Sequence, residues 1–207
     1  MCVNGETAFI GQKADPDSDR ITVDGKPLSR KGEKRYLMLN KPRGYVCTLS
    51  DEKGRPTVAE LVQGCGERVY PVGRLDLDSE GLLLLTNDGE WMHHLLHPSY
   101  GVNKTYEVSV AGAVRGAQEA LSSMTRLDGE PVRPAQVRVL RQGRDTALLS
   151  ITIHEGKNRQ IRRMCAAAGL HVKRLKRVQE HTLKLGDLPE GAWRDLTEQE
   201  LLATKSK

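Results

Sequence analysis

The chain has 207 residues, enough for one full domain and part of a second, with 38% hydrophobic and 29% charged residues and only eight aromatics. An aliphatic core is therefore expected, while disorder and collagen-like repeats are excluded. The longest leucine run, residues 82–85, is far short of the roughly 18 apolar residues of a membrane helix, and MCVNGETAFI lacks the basic-then-apolar layout of a secretion signal. A cytoplasmic protein with no membrane partner is expected. The net charge of +5 is unevenly spread: residues 154–184 carry nine basic and two acidic residues, or +7, and the rest of the chain sums to −2. Phosphate attraction is screened beyond about 10 Å, so a concentrated excess suits a polyanion-binding face, although a solvated helix face has the same composition.

In chain order, residues 1–28 read as short strands and turns, with RITV and the pair Asp24-Gly25 giving a hairpin signal. LSRKGEKR, residues 28–35, reads as a linker, and YLMLN as an apolar strand ended by Lys41-Pro42-Arg43-Gly44. Thr57 and Glu60 form a capping box for a short helix expected to stop at Gly64. VYPVGRLDLDSEGLLLLTNDGEW supplies a carboxylate-rich loop, a buried strand at residues 82–85 and a helix through Trp91 closed by Pro98. KTYEVSV alternates strictly, which turns Tyr106, Val108 and Val110 inward. A helix around residues 114–124, a turn at Asp128-Gly129 and a strand ALLSITI follow. In HEGKNRQIRRMCAAAG, Asn158 is the expected N-cap and Gly169 the residue that ends the helix. Its spacing places Arg159, Arg162 and Arg163 on one side and Ile161, Met164 and Cys165 on the other. Thr197 and Glu200 predict a last capped helix.

Several chemistries fail on spacing. Asp76, Asp78, Glu80 and Gly81 begin like a calcium loop, but Asn87 stands where a bidentate Glu is required. His93 and His97 have zinc-helix spacing, yet His94 occupies the place of the general-base Glu. Cys2, Cys47, Cys65 and Cys165 stand apart without a CxxC pair and read as reduced thiols. What remains is an acidic loop, an inward tyrosine and an arginine-rich helix. Physics alone leaves two readings open: a carboxylate held near cations on a phosphate-attracting surface, or a turn aspartate beside Arg74, a core ring and a solvated helix charge.

GRLDLDSEGLLLLTNDG (73–89), with LNKPRG, KTYEV, EGKNRQIRRM and KLGDLPEGAWRDLTEQEL, resembles the bacterial ribosomal RNA pseudouridine synthases of the RsuA type. The five motifs occur in order across residues 36–201, and their joint order is far more specific than any one of them. The opening residues, 1–30, resemble the second half of the small S-four-like RNA-binding domain, so the expected domains are a partial RNA-binding appendage and a catalytic domain over residues 34–207. The resemblance implies an α/β (α+β) fold, a mixed and mainly antiparallel sheet flanked by helices, and isomerisation of one uridine in ribosomal RNA without cofactor or metal. By the same resemblance Asp76 is the nucleophile or charge partner, Arg162 pairs with it, and Tyr106 packs on the target base and takes the proton from carbon-5. Arg74 fills the space left by the flipped base, Leu175 lines the uracil pocket, and Arg159, Arg163, Lys41 and Arg43 contact RNA. Ser79 replaces the family's frequent threonine, and VQEHTLKLG lacks the frequent IG pair. Ribosomal RNA or an assembling ribosomal subunit is the expected partner, and the protein is expected to be a monomer. The rival readings are a non-catalytic RNA-binding or ribosome-assembly protein and a hydrolase for which no acid and base pair is recognisable.

Overall fold

A computed structural model describes residues 1–15, 18–28 and 32–205; part of the expected linker, residues 29–31, lies outside them. The chain divides into two compact units, Met1–Lys34 and Arg35–Lys207. In the first, β1 (Cys2–Val3), β2 (Glu6–Thr7), β3 (Ile21–Val23) and β4 (Lys26–Pro27) form an antiparallel sheet in the order β2-β1-β3-β4. Asp24 and Gly25 both take positive φ, 50° and 76°, as the tight hairpin turn requires. Val3 is the one buried hydrophobic residue among those described in this unit.

The second unit is built on β5 (Tyr36–Lys41), α1 (Val58–Leu61), β6 (Tyr70–Val72), β7 (Glu80–Thr86), α2 (Gly89–Leu96), β8 (Lys104–Gly112), α3 (Ala117–Ser122), β9 (Arg126–Leu127) and β10 (Glu130–Pro131). It continues through β11 (Gln136–Gln142), β12 (Thr146–Ile153), α4 (Gln160–Ala167), β13 (Leu170–Glu180), β14 (Leu183–Lys184), β15 (Trp193–Asp195) and α5 (Glu198–Ala203). The main sheet runs β11-β12-β8-β13-β7-β5-β15, with β14 on β13 and β6 on β7. Every pairing is antiparallel except β13 with β7. This is the mixed, mainly antiparallel sheet expected.

β7 can be all leucine at its centre because both of its faces are covered. Leu83 and Leu85 join Leu37, Leu39, Val108 and Ile161 in one core, while Leu82 and Leu84 join Met38, Trp91 and Leu95 of α2 in a second. β8 alternates as expected, with Tyr106, Val108 and Val110 buried. Thr57–Glu60 and Thr197–Glu200 both close as reciprocal capping boxes. Two boundaries differ from expectation. The first helix ends at Leu61 and passes into a tighter turn over Gln63–Cys65, so that Gly66 and not Gly64 takes the left-handed conformation. The N-cap of α4 is Arg159, at φ 46°, in place of Asn158, and makes no side-chain capping bond. Gly169, at φ 73°, ends that helix as expected.

The parallel seam sets the site's depth. Gly81 pairs with Arg177, and at φ 102° a Cβ there would collide with the backbone carbonyl of Arg177 and lie 2.7 Å from its nitrogen. Only glycine lets β13 approach β7 so closely.

Candidate active site

The loop between β6 and β7, residues 73–79, carries Asp76 to one end of the sheet. It is held from below by Lys41, which is fully buried and donates to the carbonyls of Asp76 (3.2 Å), Ser79 (2.8 Å) and Pro42 (3.0 Å). Lys41 was expected on RNA. With its three N–H donors engaged and no exposed surface it is a loop clamp instead, and burial lowers its pKa. Arg43, exposed, donates to the carbonyls of Asp78 (3.1 Å) and Lys173 (3.2 Å), tying the same loop to β13 from outside. The Cys47 thiol lies against the backbone N–H and carbonyl of Leu75 at 3.3 and 3.4 Å, and burial pushes its pKa up.

Two arginines face the loop, Arg159 at the N-cap of α4 and Arg162 in its first turn. Arg159 Nη1 stands 3.5 Å from Asp76 Oδ2 and its Nη2 3.2 Å from Asp78 Oδ2. Arg162 Nη2 stands 3.1 Å from Asp78 Oδ2 and donates to the Asp78 carbonyl at 2.9 Å, whereas its Nε is 3.9 Å from Asp76 Oδ2. The shorter contact of Arg162 is thus with Asp78, a residue considered from sequence only as part of a failed calcium loop. Burial raises the Asp78 pKa, but the guanidiniums of Arg159 and Arg162 outweigh it and hold the carboxyl below its ordinary range. Arg162 Nε is buried without a hydrogen-bond partner, an unmet donor aimed at the Asp76 side. The left-handed Arg159 costs about 1–3 kcal/mol of backbone strain, and in that conformation its guanidinium reaches both aspartates. Asn158 does not cap; its carbonyl accepts from Arg163.

Arg163 stands apart from this cluster. Its guanidinium pairs with Asp128 in the β9–β10 turn, with Nε donating at 2.6 Å. The sequence placed all three arginines on one helix side; the structure gives two to the acidic loop and one to the hairpin.

Behind Asp76 opens a cavity of about 330 Å³, lined by Arg74, Ser79, Tyr106, Leu175, Lys104 and Arg177 among others. This lies at the small end of the usual range for a ligand pocket. Tyr106 is 8% exposed, with burial raising its phenol pKa and Arg177 pulling it back. Leu175 is buried in the wall, and Arg74 is exposed at the mouth. A wider groove of about 790 Å³ shares the rim of residues 73–76 and runs past Lys53 and Arg55 to Lys157 and Arg159. Lys104, Arg177 and Glu180 were not singled out from sequence, where an Arg and a Glu in a polar run read as exposed.

His93 and His97 pack ring to ring at 5.0 Å, and among the described residues no group of three or more His, Cys, Asp or Glu is disposed to hold a metal ion. Among the described residues no helix is long and apolar enough to cross a membrane.

The mainly antiparallel sheet thus carries a cleft with an aspartate loop and an arginine helix at its rim and a buried tyrosine inside it. The RNA pseudouridylate synthase family model matches residues 35–167, and the chain belongs to that family. A crystal structure of a pseudouridylate synthase superposes with a TM-score of 0.75 at 33% identity, covering 98% of this chain and 87% of that one. The ribosomal large subunit pseudouridine synthase B of Bacillus subtilis (strain 168) is 41% identical over 96% of this chain and 82% of its own length. The ribosomal small subunit pseudouridine synthase A of Escherichia coli (strain K12) is 36% identical over 90% of this chain and 80% of its own length.

Proposed function

We propose that this protein isomerises a particular uridine of ribosomal RNA to pseudouridine, with Asp76 as its nucleophile or charge partner. The observation that carries the reading is the placement of the Asp76 carboxylate at the mouth of a uridine-sized cavity, with Arg159 and Arg162 within 4 Å of it and Tyr106 and Leu175 inside. The target base must leave its stack to enter, and Arg74 at the mouth is placed to fill the gap. Leu175 packs on the base, and Tyr106 accepts the proton from carbon-5 once that carbon has joined the ribose. Arg43, Arg159 and the basic residues of the wider groove meet the phosphates on either side. The reaction is internal to one nucleotide and needs no cofactor or metal. The relatives' ribosomal substrates support ribosomal RNA, free or in an assembling subunit, as partner. Residues 1–30, within the Met1–Lys34 unit, are read as part of an S-four-like RNA-binding appendage, and the protein as a cytoplasmic monomer.

A non-catalytic RNA-binding role is disfavoured because two aspartates at the entrance repel phosphate and serve no purpose in binding alone. The test is pseudouridine mapping of both ribosomal RNAs from cells with and without the gene, followed by restoration with the purified protein on unmodified transcripts. One uridine should lose its modification and regain it; an unchanged map would overturn the reading.

A further inference from the structure

Beneath Tyr106 lies a second set of charges that the proposed chemistry has not used. Arg177 and Glu180 of β13 have side chains 2% and 0% exposed, with Arg177 Nη2 standing 3.2 Å from Glu180 Oε2. Lys104 Nζ approaches Glu180 Oε1 at 3.6 Å. In the pairing of β8 with β13, Arg177 lies opposite Tyr106 and Glu180 opposite Lys104. Residues three apart on a regular strand face opposite ways, but the register shifts between Arg177 and Gln179, and this bulge brings Arg177 and Glu180 to one side.

Stability does not account for the arrangement. A buried ion pair is commonly no better than an apolar pair of equal volume, and this one is poorly satisfied. Arg177 Nε donates to the Leu82 carbonyl at 2.7 Å, yet Arg177 Nη2 and both Glu180 carboxylate oxygens are buried without a hydrogen-bond partner. The guanidinium lines the same cavity as Tyr106 and Leu175. A fixed cation at the floor of a base-sized pocket, beside a phenol, has a chemical use where that phenol becomes negative.

We infer that Arg177, held by Glu180 and the Leu82 carbonyl, is a positioning residue for Tyr106, fixing the phenol oxygen and stabilising its anionic form for removal of the carbon-5 proton. This rests on the proposed isomerisation. Tyr106 enters the step as phenolate. The C5–H bond breaks, its electron pair restores conjugation in the ring, and the proton passes to the tyrosine oxygen; N1, which left the ribose with an electron pair, takes a proton from water. The charged groups acting on the phenol are Arg177, which favours the anion, and Glu180 and Asp76, which oppose it, so burial and two carboxylates are set against one guanidinium. Glu180 has a double part, since it orients the cation that its own charge partly offsets.

The two partners of Tyr106 therefore have opposite signs, which a merely structural role would not produce. The protein labelled with 3-fluorotyrosine, with Tyr106→Phe identifying the resonance, is titrated by fluorine NMR as wild type, Arg177→Met, Arg177→Lys and Glu180→Gln. The Tyr106 phenol should ionise at higher pH in Arg177→Met, near wild type in Arg177→Lys and at lower pH in Glu180→Gln. Single-turnover rates on unmodified ribosomal RNA transcripts should fall about a hundredfold in Arg177→Met, the low end of what a positioned base contributes, with the rising limb of the pH profile, which follows ionisation of the phenol, displaced to higher pH. Arg177→Lys should recover most of that loss. An unchanged rate and profile in Arg177→Met, or titration shifts of the same sign in Arg177→Met and Glu180→Gln, would overturn the inference. If Arg177→Met does not fold, Glu180→Gln decides alone: its phenol and rate limb must move down. A wild-type protein that forms no pseudouridine would refute the proposed function, while the titrations would still test the Arg177–Tyr106 pairing.

Discussion

Two clusters of opposite charges bound the same cavity, and they differ chiefly in their access to water. At the rim, Asp76, Asp78 and Arg159 keep 30–45% of their side-chain surface and Arg162 keeps 13%. On the floor, Arg177 and Glu180 have almost none. Exposed pairs are screened and exchange partners at little cost, whereas buried charges cannot lose a partner without a large penalty. The rim can therefore let a phosphate or a ribose displace its internal contacts, while the floor keeps one geometry throughout. A nucleophile suits the first setting and a support for a proton acceptor suits the second.

The largest expected effect tests the rim. Asp76→Asn preserves shape but removes the charge, so single-turnover isomerisation should fall by about four orders of magnitude or more, as for other nucleophile deletions, with RNA affinity kept. Filter binding alongside the rate assay separates the two, and substantial turnover by a clean preparation would remove Asp76 from the chemistry. Stability then tests the contrast directly. Glu180→Ala leaves Arg177 buried and unpaired and should cost about 3–5 kcal/mol in denaturant unfolding. Asp78→Ala, at the screened rim, should cost no more than about 1 kcal/mol. Similar losses from both would show that the clusters do not differ as argued.

Much of this division was hidden in the sequence for physical reasons. Periodicity revealed β8, because its outer face is polar, and the run at residues 82–85 revealed β7, because leucine fills both of its faces. Turn pairs and capping boxes were legible because they depend on two or three neighbouring residues. β13 was not, although it is the longest strand described: LHVKRLKRVQE shows no clean alternation, and two register shifts break its facing pattern. Its buried Arg177 and Glu180 looked like solvated charges, and Lys41 looked like an RNA contact, because burial of a lysine or arginine depends on carbonyls brought from distant loops. The acidic loop and arginine helix were visible as motifs, but the partition of Arg159 and Arg162 between two aspartates depends on a left-handed N-cap that no local signal announces.

A smaller effect is expected at Arg162. Its Nη2 is bound to Asp78 and its Nε points toward Asp76, so Arg162→Ala removes one of the two cations facing the proposed nucleophile. Single-turnover rate should drop about a hundredfold while binding changes little, because Arg159 still faces both aspartates. Acid should loosen the same rim in a definite order. Since the Asp78 pKa in the folded protein is depressed, its pairing is complete above the ordinary carboxylate range and is lost as pH falls through the lower folded value. Carboxyl titration by NMR should show this, and Arg162→Ala should move the Asp78 midpoint up; a midpoint that does not move would show that Arg159 alone sets it.

The smallest effect concerns Arg163, which lies on the same helix but outside both clusters. A free arginine on a phosphate adds about 0.7–0.9 to the slope of log affinity against log salt. Arg163 is paired with Asp128, and that carboxylate remains nearby to repel a phosphate even when the pair opens. Arg163→Ala should therefore flatten the salt dependence by less than one full contact, and by less than Arg159→Ala, whose side chain lines the wider groove. Asp128→Asn separates the explanations. If Asp128 restrains an arginine within reach of RNA, removing its charge should steepen the salt dependence, and the double variant with Arg163→Ala should abolish that gain. If Asp128→Asn leaves the slope unchanged, Arg163 serves only to fasten α4 to the β9–β10 hairpin, and the phosphate-binding face ends at Arg159.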